Sequence, residues 1–141
     1  MTETRYRLET DEIDDALRDV VNAWMEAWNE ADPQRRRELI SKAWVADGRY
    51  VDPFLAVDGL DEIADALGKL RVMFPGHSVH RRSGVEAFFG QVRFAWEFLD
   101  PKGSFVTDGV DVAEVAEDGR FRHLTGFVGQ VVPVPLEGSS P

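Results

Sequence analysis

The chain has 141 residues, 43% hydrophobic and 11% aromatic, with no cysteine and a formal net charge of −10. That length suits one domain with a real core, and the charge argues against a nucleic-acid backbone or an anionic membrane as partner, since both repel such a surface. Without thiols there are no disulfides, thiolate metal sites or cysteine nucleophiles. The opening Met1-Thr2-Glu3-Thr4-Arg5 lacks the apolar core of a signal peptide, and no apolar run is long enough to span a bilayer. A cytoplasmic protein is expected.

Ile13, Leu17, Val21, Trp24, Trp28 and Ala31 recur at spacings of three and four, which predicts a helix over residues 11–31. Thr10 or Asp11 can cap it, and Asp11, Glu12, Asp14 and Asp15 suit the positive end of its dipole. Trp24 and Trp28, one turn apart, need a large apolar neighbour, either the core or a cavity wall. Asp32-Pro33 ends this helix and begins a second, with Asp32 as N-cap and Leu39, Ile40, Ala43 and Trp44 as the apolar side. Arg35-Arg36-Arg37 then reads as a solvated face. A strand over 48–53 follows, with a short extended piece at 56–57 and a turn at Asp58-Gly59. Leu60, Ile63, Leu67, Leu70 and Phe74 predict a third helix over 60–74, stopped by Pro75-Gly76.

The remainder reads as antiparallel sheet. Residues 77–87 form a mixed polar strand. Over 91–99, Val92, Phe94, Trp96 and Phe98 alternate with Gln91, Arg93, Ala95 and Glu97, the clearest strand pattern in the chain. Asp100-Pro101-Lys102-Gly103 is hairpin chemistry leading into a strand over 105–116, and Glu117-Asp118-Gly119 turns that into a strand over 120–132. Helices first, then long strands, predict an α+β fold: helices packed on one face of a strongly curved, mostly antiparallel sheet. Such a cone holds small molecules at its open end. Residues 1–10 are expected to form an N-terminal arm, 11–132 a single domain and 133–141 a flexible tail.

Tyr50 and Asp52, two apart in the first long strand, share a strand face, and Pro53 stops the ladder directly after them. Asp52 is therefore either a polar group at a cavity mouth or the cap of an Asp-Pro turn. Asp111 shares its face with Thr107, Gly109, Ala113 and Val115, opposite Val110 and Val112; either face could be the inner one. If Asp52 and Asp111 both reach a cavity walled by Trp24, Trp28, Phe94, Trp96 and Phe127, burial raises both carboxyl pKa values and mutual repulsion raises one further. One base and one neutral donor result, which suits proton transfer beside a carbonyl. His77 and His80 fall on opposite strand faces, poor geometry for a shared metal, while His80 alone is either a pocket base or an exposed strand histidine. No zinc or iron triad assembles from local spacing, and no phosphate loop or nucleotide fingerprint is present, so no metal or organic cofactor is expected; without a Gly-x-Ser-x-Gly elbow, nucleophilic hydrolysis has no support.

Ala27-Trp28-Asn29-Glu30-Ala31-Asp32, Tyr50-Val51-Asp52-Pro53, Gly59 before a helix and Gly109-Val110-Asp111, in this order of elements, resemble the NTF2-like superfamily and within it the SnoaL-like group. The resemblance runs from about Ile13 to Gly129 and implies the cone fold. That superfamily contains ketosteroid isomerase, polyketide cyclases, limonene epoxide hydrolase, dehydratases and non-catalytic binding or dimerisation modules. By similarity to ketosteroid isomerase, Asp52 matches the proton-shuttling base, Asp111 the protonated aspartate that hydrogen-bonds the dienolate oxygen, and Trp24 the position of a helix tyrosine. An indole donates a hydrogen bond but cannot share a proton as a phenol does; Tyr50 is the alternative. The epoxide hydrolase relay needs an arginine two residues before an aspartate, where this chain has Gly109 before Asp111. The resemblance thus implies an isomerase or cyclase enolising an apolar carbonyl compound, with Asp52, Asp111 and Tyr50 catalytic. Trp24, Trp28, Phe74, His80, Phe94, Trp96 and Phe127 are the expected substrate-binding residues. It also implies a homodimer through the outer sheet face that carries Arg93 and Glu97, with a ligand-binding or dimerisation module as the alternative.

Overall fold

The computed structural model describes residues 6–7 and 15–136. Its elements run β1 (Tyr6–Arg7), α1 (Asp15–Asn29), α2 (Pro33–Ala43), β2 (Trp44–Asp52), β3 (Leu55–Asp58), α3 (Gly59–Met73), β4 (Ser78–Arg81), β5 (Glu86–Phe88), β6 (Gln91–Leu99), β7 (Phe105–Val115) and β8 (Phe121–Val128). Three helices pack on one unclosed, curved sheet of order β1-β5-β6-β7-β8-β2-β3, with β4 also paired to β6. This is the α+β cone expected from the pattern. The expected cap at Thr10 or Asp11, the apolar Ile13 and the end of the tail beyond residue 136 lie outside the described residues. Among the described residues no helix is long and apolar enough to cross a membrane.

The heptad-like apolar faces do what their spacing predicts. Leu17, Val21, Trp24, Leu39, Ile40, Ile63 and Leu67 are buried against Val92, Phe94, Ala113, Phe121 and Leu124 from the inner sheet face. Asp32 caps α2, accepting from the Gln34 N–H at 3.1 Å, with Pro33 as the first helical residue. Trp44, expected on the helix, is instead the first residue of β2, with extended φ and ψ. No loop separates the two elements, and Trp44 stays fully buried among Trp24, Tyr50 and Phe121.

Two further features differ from the sequence expectation. The strand expected over 77–87 is broken: β4 pairs one half of β6 and β5 the other. Between them Ser83 Oγ accepts the Ala95 N–H at 2.7 Å, replacing a ladder bond that a continuous strand would have made. The strands after α3 pair antiparallel throughout, as expected, and β8 in addition runs parallel to β2, with Tyr50 opposite Leu124. Arg36, read with its neighbours as solvated, is only 7% exposed. Its Nε and Nη2 donate to the Glu30 carbonyl at 3.1 and 2.9 Å, and Nη2 also donates to Ala31 at 3.2 Å, satisfying carbonyls left free where α1 ends. The guanidinium lies against α3 at Gly68, where a Cβ would come within 3.0 Å of Nη1.

The arginine triplet therefore separates energetically. Arg35 pairs at the surface with Glu26 and Glu38, and Arg37 with Asp61; such pairs contribute roughly 0–1 kcal/mol. Arg36→Ala is expected to lower unfolding stability by about 2–3 kcal/mol, because charged hydrogen bonds from a buried guanidinium to part-buried carbonyls are lost. Arg35→Ala and Arg37→Ala are expected within about 1 kcal/mol of wild type. Urea unfolding of the three variants checks this, and equal effects would refute the assignment.

Candidate active site

The helix and strand ends that converge at one end of the cone enclose a cavity of about 220 Å³. The C-terminal halves of α1, α3 and β6, the end of β2 and β7 as far as Asp111 all contribute to it: Met25 and Trp28, Leu70 and the C-cap Phe74, Trp96 and Phe98, Tyr50 and Asp52, and Val106, Thr107 and Asp111. Phe54, Val79, Gly126 and Val128 complete the lining. The walls are apolar, and the carboxyl groups of Asp52 and Asp111 with the Tyr50 hydroxyl are the acidic groups on them.

Asp111 is 4% exposed and sits on the inner face of β7, opposite Phe94 on β6 and Gly126 on β8. Two indoles hold it: Trp24 Nε1 donates to Oδ2 at 3.1 Å and Trp96 Nε1 donates to Oδ1 at 2.9 Å. Trp96 reaches it because its cross-strand partner is Gly109, where a Cβ would overlap the indole and the Phe127 carbonyl. Trp24 is fixed by edge-to-face packing on Trp28 and Trp44, with centroids 5.2 and 5.4 Å away. Burial dominates the electrostatics and pushes the Asp111 carboxyl up to about 7, the indole bonds acting in the opposite direction and the Asp52 charge adding to the rise.

Asp52 divides its two oxygens. Oδ1 accepts the N–H groups of Phe54 and Leu55 at 2.8 and 3.1 Å, closing the turn into β3, while Oδ2 accepts the Tyr50 hydroxyl at 2.8 Å. The two readings of Asp52 in the sequence, turn cap and cavity group, are therefore both satisfied, on different atoms. Burial, followed by the Asp111 and Asp52 charges, raises the Tyr50 hydroxyl, so that it remains a protonated donor.

Of the expected site residues, Tyr50, Asp52, Trp28, Phe74, Trp96 and Asp111 line the cavity. Four do not. Trp24 is fully buried behind Asp111, and its N–H is occupied by the carboxylate, so it positions Asp111 rather than meeting a ligand. Phe94 lies on the correct sheet face but deeper, in the closed core, at 2% exposure. Phe127 is 59% exposed on the outer face: its neighbour Gly126 points inward, and one residue of register exchanges the faces. His80 is exposed on β4, with Nε2 at 2.8 Å from Ser78 Oγ, because Val79 takes the inward position. Among the described residues no three His, Asp or Glu side chains group as a metal site. Sequence reading missed Met25, Leu70 and Phe98, although each is one helical or strand repeat from a named residue; Phe54, Val79, Val106, Gly126 and Val128 carry no such signal.

The curved mixed sheet under three helices is the NTF2-like architecture. An NTF2-like protein from Exiguobacterium sp. 255-15 superposes with a TM-score of 0.60 at 17% identity, over 79% of this chain and 99% of that one. A candidate isomerase of the SnoaL-like family from Agrobacterium tumefaciens strain C58 matches at a TM-score of 0.76 and 31% identity, over 82% of this chain and 98% of the relative. The chain belongs to the SnoaL-like family. A candidate SnoaL-like polyketide cyclase from Jannaschia sp. CCS1 shares the fold at 15% identity and a TM-score of 0.61, over 83% and 90% of the two chains. No family model matches the sequence, and neither does any curated protein.

Titration of Asp111 has a defined sign. An ordinary Asp side chain ionises near 3.8, whereas Asp111 in the fold ionises near 7, so between these values the folded chain holds a proton that the unfolded chain has released. Its contribution to stability is full below pH 3.8 and is lost as pH rises through about 7. Tryptophan fluorescence is expected to step with a midpoint near pH 7, since Trp24 and Trp96 both report on the carboxyl. In Asp111→Asn that step should vanish, and the fall in stability across the window, at most about 1.4 kcal/mol per pH unit, should flatten. A step that survives in the variant would show that another group titrates.

Proposed function

We propose that the chain is an acid–base enzyme that enolises an apolar carbonyl compound, as an isomerase or cyclase. The observation that carries this reading is the placement of two carboxyl groups of unlike environment on one apolar cavity. Asp111 is buried on indole donors with its proton retained to about pH 7, and Asp52 is held by a turn and a phenol. Titratable groups pushed apart by their surroundings divide naturally into an acid and a base. Family membership supports the reading, since the Agrobacterium relative is described as a candidate isomerase.

In this scheme Asp52 Oδ2 removes the proton from the carbon next to the carbonyl. The electrons of that C–H bond form the new C=C bond, and the carbonyl π pair moves to oxygen. Protonated Asp111 donates to that oxygen as its charge develops, in a site with little water to compete. Tyr50 keeps the reacting oxygen of Asp52 oriented. Return of the proton to a different carbon completes an isomerisation; attack of the enolate carbon on a second carbonyl completes a cyclisation. No electron is gained or lost overall.

The test is the conversion of β,γ-unsaturated ketones, from one ring to four, into their conjugated isomers, followed by ultraviolet absorbance. Wild type should accelerate at least one of them, with a rate that falls as pH rises through about 7 because Asp111 loses its proton. Asp52→Asn should lose about 10²–10⁴-fold in rate, with the turn intact because an amide oxygen still accepts the Phe54 and Leu55 N–H groups. If no ketone in the series is converted, the acid–base reading fails and a ligand-binding module takes its place.

A further inference from the structure

The cavity also limits which molecule can be the substrate, a question that rests on the acid–base reading but is decided by different features: size, charge and the floor between the acids. The volume is about 220 Å³. A dry protein cavity of about 150 Å³ already accommodates benzene, while pockets for drug-sized ligands begin near about 300 Å³. The enclosed space therefore suits one ring with a short substituent, or two small fused rings.

Charge narrows the class further. Among the described residues no lysine, arginine or histidine lines the cavity. The groups facing Asp111 are Trp24 from α1, Tyr50 and Asp52 from β2, Trp96 from β6 and Gly126 from β8. Their polar atoms are hydrogen-bond donors or another acid. A ligand carboxylate or phosphate would lie beside two acids with no cation to offset it, which is costly in an apolar site.

Gly126 occupies the point where the acids meet. A Cβ there would lie 3.2 Å from Asp111 Oδ1, 3.3 Å from Tyr50 Oη and 3.7 Å from the Asp52 Cβ. The first two contacts are tight and the third is ordinary van der Waals contact, so any side chain at 126 would enter the space where the three polar groups converge. We propose that the substrate is an uncharged ketone of one ring or two small fused rings, which enters carbonyl first, and that Gly126 is the specificity-determining residue that keeps room for its oxygen between Asp52 and Asp111. The ring lies against Trp28, Phe74, Trp96 and Phe98, and anything larger must project past the exposed lining residues Phe54, Val106 and Val128.

Tryptophan fluorescence titration at pH 6 with phenol, 2-naphthol, a four-ring phenol, 4-hydroxyphenylacetate and toluene tests this, the phenols standing in for the enol. Phenol and 2-naphthol should bind best, and the added carboxylate should weaken binding by at least about tenfold. Gly126→Ala should weaken phenol by at least about tenfold while toluene, which has no oxygen to place, changes little; that ratio separates a filled oxygen site from a damaged fold. Tighter binding of the four-ring phenol, indifference to the carboxylate, equal losses for phenol and toluene, or no binding of any probe would each overturn the proposal. Its failure is distinct from that of the acid–base reading. If the largest ketone of the conversion series reacts fastest, the substrate class is wrong and the chemistry stands. If single-ring phenols bind as expected but no ketone is converted, the chemistry is wrong and the ligand class stands.

Discussion

A carboxyl group buried without a cation is the constraint around which this domain is arranged. Asp111 can remain inside only because two indole N–H groups, from Trp24 on α1 and Trp96 on β6, satisfy its oxygens. Each indole in turn imposes conditions of its own. Trp96 needs an absent side chain at Gly109, and Trp24 needs the aromatic cluster of Trp28, Trp44 and Tyr50 around it. A polar centre thus ties the first helix to the middle of the sheet. Indoles are donors only, so both bonds favour the ionised carboxylate, and it is burial that lifts the Asp111 carboxyl up to about 7 against them.

The cone places this centre on a cavity wall. α1, α3, β2 and β6 all end near the same opening, and β7 begins there. The parallel pairing of β8 with β2 brings Gly126 beside Tyr50 and Asp52, so residues some seventy positions apart in sequence form one floor. At the other end of β6, Val92 and Phe94 close the core completely. One strand therefore supplies both the sealed base and the cavity wall, and the change occurs within two residues.

Local pattern made much of this fold legible. The alternation from Gln91 to Leu99 marks a strand with unlike faces, and β6 has those bounds. Asp32-Pro33 marks a helix start, and the turn expected at Asp58-Gly59 leads directly into α3, because capping and turn chemistry act over a few residues. Tyr50, Asp52 and Asp111 were likewise visible as candidates from strand periodicity and resemblance to the family. What depended on distant partners was not visible. The parallel return of β8 has no local signature, and the interruption at Ser83 arises from an Ala95 N–H twelve residues away. Phe127 is expected in the cavity because an aromatic suits a wall, whereas strand register, set by pairing with β7, turns Phe127 outward and its neighbour Gly126 inward. Arg36 could not be told from Arg35 and Arg37 without knowing that α1 ends above it.

The division of labour within Asp52 has a consequence for reading relatives of this chain. One oxygen holds the turn between β2 and β3 and the other meets Tyr50 at the cavity. Selection on the fold alone would retain an aspartate or asparagine here in a lineage that had abandoned chemistry, since the turn needs only an acceptor. The residue is thus a poor witness to activity. The pair of tryptophans around a buried acid is a better one, because nothing in the architecture of the cone requires a charge at position 111, and a valine there would dispense with the whole arrangement.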